Sequence, residues 1–158
     1  MYNNPILNQL HSLLEENNID HDIYEDDFAL DSALSGAQHY GIELRETTPT
    51  LILTSKDTVY AAIICGDTRI SFKKLKSALN IKDIKMADRE TVFKLTGSQV
   101  GEVSLINQNF VTLLDKNVLR NPNCYGDCGA PKSTLRINTS DLIKITNAQI
   151  LDFAESRA

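Results

Sequence analysis

Apolar residues recur at Ile6, Leu7, Leu10, Leu13 and Leu14, the spacing of one helix face. Asn4-Pro5 ahead of them pairs an N-cap residue with proline at the first helical position. The pattern predicts a helix over about 5–17, closed by Asn17-Asn18. Ile19, His21 and Ile23 then alternate with Asp20, Asp22 and Tyr24, a short half-buried strand in which His21 reads as a packed histidine rather than a ligand. Ala29 to Tyr40 carries Leu30, Ala33, Leu34 and Ala37 on one face and ends at Gly41, a plausible C-cap. Residues 50–54 and 58–64 are β-rich and almost continuously apolar, with Ser55-Lys56-Asp57 between them. They read as a hairpin of central strands.

Ser71 opens a helix to Leu79, with Leu75, Ala78 and Leu79 inward and Lys73, Lys74 and Lys76 outward. A short strand at 83–87 precedes a helix capped by Asp88 and running through Leu95. Thr96-Gly97-Ser98-Gln99-Val100-Gly101 breaks the pattern. Strands are expected at about 102–106, 109–115 and 133–138, a long loop at 121–131, and two short elements at 140–146 and 148–155. Strands and helices interleave without a regular βαβ rhythm, so the expected class is α+β, a mixed sheet wrapped by helices in one domain spanning 1–158.

The remaining features narrow the class. The chain has 158 residues, and 42% of them are hydrophobic, enough to bury a core without staples. No apolar run approaches a membrane span, and Met1-Tyr2-Asn3-Asn4-Pro5 has no signal-peptide character, so a cytoplasmic protein is expected. Three cysteines, Cys65, Cys124 and Cys128, do not form a disulfide framework. Net charge is −5, which argues against indiscriminate nucleic-acid binding. Its distribution is uneven. Residues 1–46 hold ten acids and one base, and residues 69–94 hold eight bases and three acids. A basic face on an acidic molecule suits a polyanion, although a solvated Lys-rich helix has the same composition.

The candidate chemistry is sparse. Cys124-x-x-x-Cys128 lacks a second ligand pair, and His11, His21 and His39 are scattered through the N-terminal third, so no metal is expected and the cysteines read as two loop thiols. The glycines Gly97, Gly101, Gly126 and Gly129 form turns on either side of a strand. They could meet over one pocket and offer backbone amides to a carboxylate, phosphate or oxyanion. Such glycines are more often purely structural turns.

Segment order adds a further reading. Cys65-Gly66-Asp67, the Arg69 to Leu75 run with its Lys-Lys-Leu, Thr96-Gly-x-x-x-Gly-Glu-Val-Ser104, Asp115 at a strand end, Tyr125-Gly-Asp-Cys-Gly129 and the Asn138–Thr146 segment follow one another. This order resembles the YbaK/ProX family, the aminoacyl-tRNA deacylase and prolyl-tRNA synthetase-associated domain, over about residues 19–150. The resemblance implies metal-free, cofactor-free hydrolysis of the ester joining a wrong amino acid to tRNA, a translation-fidelity role performed in trans. It implies substrate binding by Gly97, Gly101, Ser104, Asp115, Gly126 and Gly129, and tRNA binding by Lys73 and Lys74. Aminoacylated tRNA is the implied partner, and an aminoacyl-tRNA synthetase is a second one it allows; DNA and membrane are not implied. The family's functional lysine falls here on Pro49, and Leu105 stands where many members have proline. Proline offers no ammonium, so the catalytic residue is left unassigned. A non-catalytic module binding aminoacyl-tRNA or another aminoacyl ligand is the alternative.

Overall fold

The computed structural model describes residues 2–30 and 32–157. Five strands form the central sheet: β2 (Thr50–Ser55), β3 (Thr58–Ile63), β5 (Lys85–Met86), β6 (Val111–Asp115) and β9 (Gln149–Leu151), in the order β5-β2-β3-β6-β9. β2 pairs antiparallel with β3 and β5, while β6 runs parallel to both β3 and β9. The sheet is therefore mixed, with the hairpin at its centre, as the unbroken apolar runs require. The turn needs only Lys56-Asp57, with Lys56 at φ 53°.

Alternate side chains feed two layers. Leu53, Ala62, Ile64 and Leu113 face α3 (Phe72–Leu79) through Leu75, together with Ile84 and Phe153. On the other face, Ile52 and Ala61 meet Val92 of α4 (Arg89–Thr96). Ile63 and Leu114 meet Leu7, Leu10 and Leu14 of α1 (Pro5–Glu16) and Leu142 of α5 (Thr139–Thr146). Each leucine, isoleucine, valine or phenylalanine among them, taken fully from water, contributes about 1.5–3 kcal/mol. A second antiparallel sheet, β1 (His21–Glu25), β8 (Ser133–Asn138) and β7 (Asn123–Gly126), joins this layer through Leu135 and Ile137. A small ribbon pairs β10 (Ala154–Ser156) with β4 (Thr68–Ile70).

Helix starts follow their caps. Asn4, Ser71 and Asp88 accept from Ile6, Lys74 and Thr91 amides respectively. The helix expected from Ala29 begins later, as α2 (Ala33–Tyr40), because Ser32 and Ser35 form a reciprocal cap there; Asp31 lies outside the described residues. The first predicted strand starts at His21 rather than Ile19, and that at 83–87 shrinks to Lys85–Met86.

Two sequence expectations fail in this region. Residues 102–106 form no strand; only an isolated bridge joins Ser104 to Asp127. Gly101, at φ 90°, turns the chain there. The 121–131 loop contains β7, whose Cys124 and Gly126 are buried; Pro122 and Gly126 disguised it as a turn. The last two uncertain elements resolve into α5, β9 and β10.

Candidate functional site

The connection after α4 and the segment after β7 are laced together. Ser98 Oγ donates to the Gly129 carbonyl at 2.9 Å, and the Leu105 amide donates to the Asp127 carbonyl at 3.0 Å. The two glycine turns do meet, but they divide between two depressions. The first, about 160 Å³, is lined by α2 residues including Ala33, Gly36 and Tyr40, by Thr47-Thr48-Pro49 ahead of β2, and by Gly101, Tyr125, Gly126 and Asp127. The second, about 420 Å³, lies beside α1 and takes in Ser98, Ser104 and Gly129.

The nominated residues therefore separate. Gly101 and Gly126 line the first depression, and Ser104 and Gly129 the second. Gly97 lines neither; at φ 75° it caps α4, donating to the Phe93 carbonyl. Gly126 is glycine for a packing reason as well. A Cβ there would sit 2.5 Å from Leu105 Cγ, so core packing by itself excludes a side chain.

Asp115 stands apart from these glycines. It is fully buried away from both depressions. Its Oδ1 accepts the amides of Phe153 and Ala154, and its Oδ2 that of Asn117. It fastens the C-terminal segment to the end of β6.

The basic helix α3 packs on the sheet face opposite α4. Lys73 is exposed. Lys74 Nζ is held by Asp152 at 3.2 Å and by the Ala154 carbonyl at 3.0 Å. Neither lysine lines a depression.

Of the two expected loop thiols, only Cys128 lies in a loop, and both are buried. Cys124 lies in β7 with Sγ 3.3 Å from Thr139 Oγ1, and both Cys124 and Cys128 are buried in the layer of α1 and α5. Burial pushes their thiols up, to about 11 and about 12, so both are neutral and poorly nucleophilic at pH 7. Their replacement by serine, harmless at loop positions, is now expected to destabilise the double variant by about 2–4 kcal/mol, because hydroxyls enter an apolar layer. Urea unfolding measures this; a loss below about 1 kcal/mol would contradict the packing.

Asp127 is the residue that sequence reasoning passed over. Burial, reinforced by the negative charge of Glu102, raises its carboxyl to about 7. It is the only carboxyl, and no lysine or arginine accompanies it, among the described residues lining the first depression. Its position is fixed through its backbone, by the bridge to Ser104 and the bond from Leu105. A signal existed: it is the sole acid between Asn121 and Pro131, set between two glycines. Tyr40 and Tyr125 stack beside it with ring centroids 6.2 Å apart. The Tyr40 hydroxyl donates to Asp26 at 2.7 Å, and burial raises its pKa further above the ordinary phenol value.

Residues 29–145 match the family model of the aminoacyl-tRNA editing domain. The chain belongs to that family. The match spans both glycine turns, Pro49 and Asp127. A proline–tRNA ligase of Caldicellulosiruptor bescii is 26% identical over 117 residues, which make up 74% of this chain and 20% of the ligase. The chain thus spans about a fifth of that relative's length. The crystal structure of a hypothetical protein superposes with TM-score 0.86 at 25% identity, covering 93% of this chain and 99% of that one. A second, described as a candidate trans-editing enzyme for prolyl tRNA synthetase, gives TM-score 0.86 at 23% identity over 98% and 100%. The α+β editing-domain fold expected from the sequence is therefore the one observed. Among the described residues, no helix is long and apolar enough to cross a membrane.

Proposed function

We propose that this editing domain is a trans-acting deacylase, hydrolysing the ester between a small amino acid and the terminal ribose of a mischarged tRNA. The observation that carries the reading is Asp127, a carboxyl raised to about 7 in a depression that holds no other carboxyl and no lysine or arginine among the described residues. A base poised near neutral pH suits abstraction of a proton from water. Water attacks the ester carbonyl carbon as its proton passes to the Asp127 carboxylate. The acyl C–O bond then breaks, the proton goes to the departing ribose oxygen, and free amino acid and tRNA leave. A volume of about 160 Å³ resembles cavities that hold a benzene-sized group, and suits a small uncharged side chain. The fold match to a candidate trans-editing enzyme for prolyl tRNA synthetase supports the trans-editing reading.

One observation favours a second reading, a module that binds without turnover. Pro49, where the family resemblance expects lysine, stands in the wall of the same depression. Lys56 cannot substitute, because it lies in the turn at the far end of β2, roughly 20 Å along the strand. The two readings part on one experiment. Wild type should bind a non-hydrolysable aminoacyl-adenosine analogue, and Pro49→Lys should raise turnover by about 10²-fold by adding a donor for developing negative charge. Thermal stability is measured alongside, since the change also frees a backbone N–H. Binding with no turnover in wild type, gained in Pro49→Lys, supports the binding module. Failure of both to bind any aminoacyl analogue overturns both readings.

A further inference from the structure

The fold brings together two of the histidines that are scattered in sequence. His11 and Glu15 lie one helical turn apart on α1, so they share a face. His21 opens β1 beside them. His11 Nδ1 and His21 Nε2 are 3.0 Å apart, with the rings tilted by 59°, and the Tyr2 ring lies edge-on to His11 at 5.9 Å. One ligand atom from each of His11, Glu15 and His21 can be taken so that all lie within 4.8 Å of one another.

The hydrogen bonds fix the protons. His21 Nδ1 lies 2.9 Å from the Ile19 carbonyl oxygen. A carbonyl only accepts, so Nδ1 carries the hydrogen and Nε2 presents its lone pair towards His11. A backbone carbonyl holding the second ring nitrogen is the support that metal-bound histidines receive. In the neutral pair, His11 Nδ1–H donates to that lone pair. A cation replacing this hydrogen takes a lone pair from each ring, and the His11 proton moves to its Nε2, with no proton lost from the cluster.

We propose that His11, Glu15 and His21 form a binding site for a divalent transition ion of the zinc class. Two imidazoles and a carboxylate suit such ions and not magnesium or calcium, which prefer oxygen ligands. Zinc–ligand distances of about 2.0–2.2 Å place tetrahedral ligand pairs roughly 3.4 Å apart. The histidine nitrogens need open by only a few tenths of an ångström, and the exposed Glu15 can rotate onto the ion. Water completes the fourth position. The ion would staple α1 to β1, and α1 supplies Ile6, Gln9, Leu10 and Leu13 to the wall of the second depression. This site is independent of the deacylase reading.

The test is zinc competition against a chromophoric chelator, with thermal unfolding of the full chain in parallel. One zinc per chain with a micromolar or tighter Kd, and a melting temperature that rises with zinc, is the expected result. His21→Ala and Glu15→Gln should each weaken binding at least about tenfold. His39→Ala should not, because His39 faces Asp26 instead. Glu15 is exposed, so its variant reports on binding even if the histidine variant unfolds. Absence of zinc binding at about 100 μM, or wild-type affinity in either variant, overturns the proposal.

Discussion

Asp127→Asn is expected to lower deacylation about 10²–10³-fold while making the protein more stable at alkaline pH. Loss of a positioned general base costs this much in rate, and the amide keeps the size of the side chain. The wild-type rate should rise with pH through about 7 and level off above it, because the carboxylate is the active form; the variant should lose that inflection. The stability effect has the opposite direction. The folded carboxyl titrates near 7 against an ordinary value of 3.8. Between those values the folded state binds the proton that the unfolded chain has released, so wild-type stability falls as pH rises through the window and is flat above it. The variant escapes that loss and should gain of the order of 1–3 kcal/mol at pH 8, with no gain below pH ~4. Unfolding curves and single-turnover rates at both ends of the window check the two halves together. A variant with wild-type turnover would remove Asp127 from the chemistry.

The second large effect is purely structural. Asp115→Ala should destabilise the fold by about 3–5 kcal/mol, since it strands the buried amides of Phe153 and Ala154 and uncaps the turn after β6. A drop in melting temperature of roughly 10 °C or more corresponds to this. The fraction still folded at low temperature should turn over within about twofold of wild type, because the carboxylate lies outside both depressions. Intact stability with lost turnover would instead place Asp115 on the substrate.

These two aspartates also mark what the sequence could disclose. The elements around α1, β2, β3, α3 and α4 were legible because their periodicity, caps and apolar runs are local properties. The β7 strand was not, because its pairing with β8 is long-range and its ends carry Pro122 and Gly126. At the site, spacing correctly suggested that the two glycine turns meet, through Ser98 and Gly129. It could not separate the two depressions they serve, nor tell that Gly126 makes room for Leu105. Asp115 stood in a motif position yet serves the C-terminal backbone, and Asp127 stood in another yet carries the perturbed carboxyl. What distinguishes them is what each carboxyl meets, three backbone amides at Asp115 and the Glu102 charge at Asp127, and those neighbours are set by the tertiary fold. The same holds for His11 and His21, which are joined by the docking of α1 against β1.

The most direct measurement is release of amino acid from a panel of mischarged tRNAs by the purified wild-type chain at pH 7.5, compared with Asp127→Asn. The account predicts catalytic release from one or a few tRNAs carrying small amino acids, and near-background release by the variant. No release from any member of the panel, or equal release by both proteins, would contradict it.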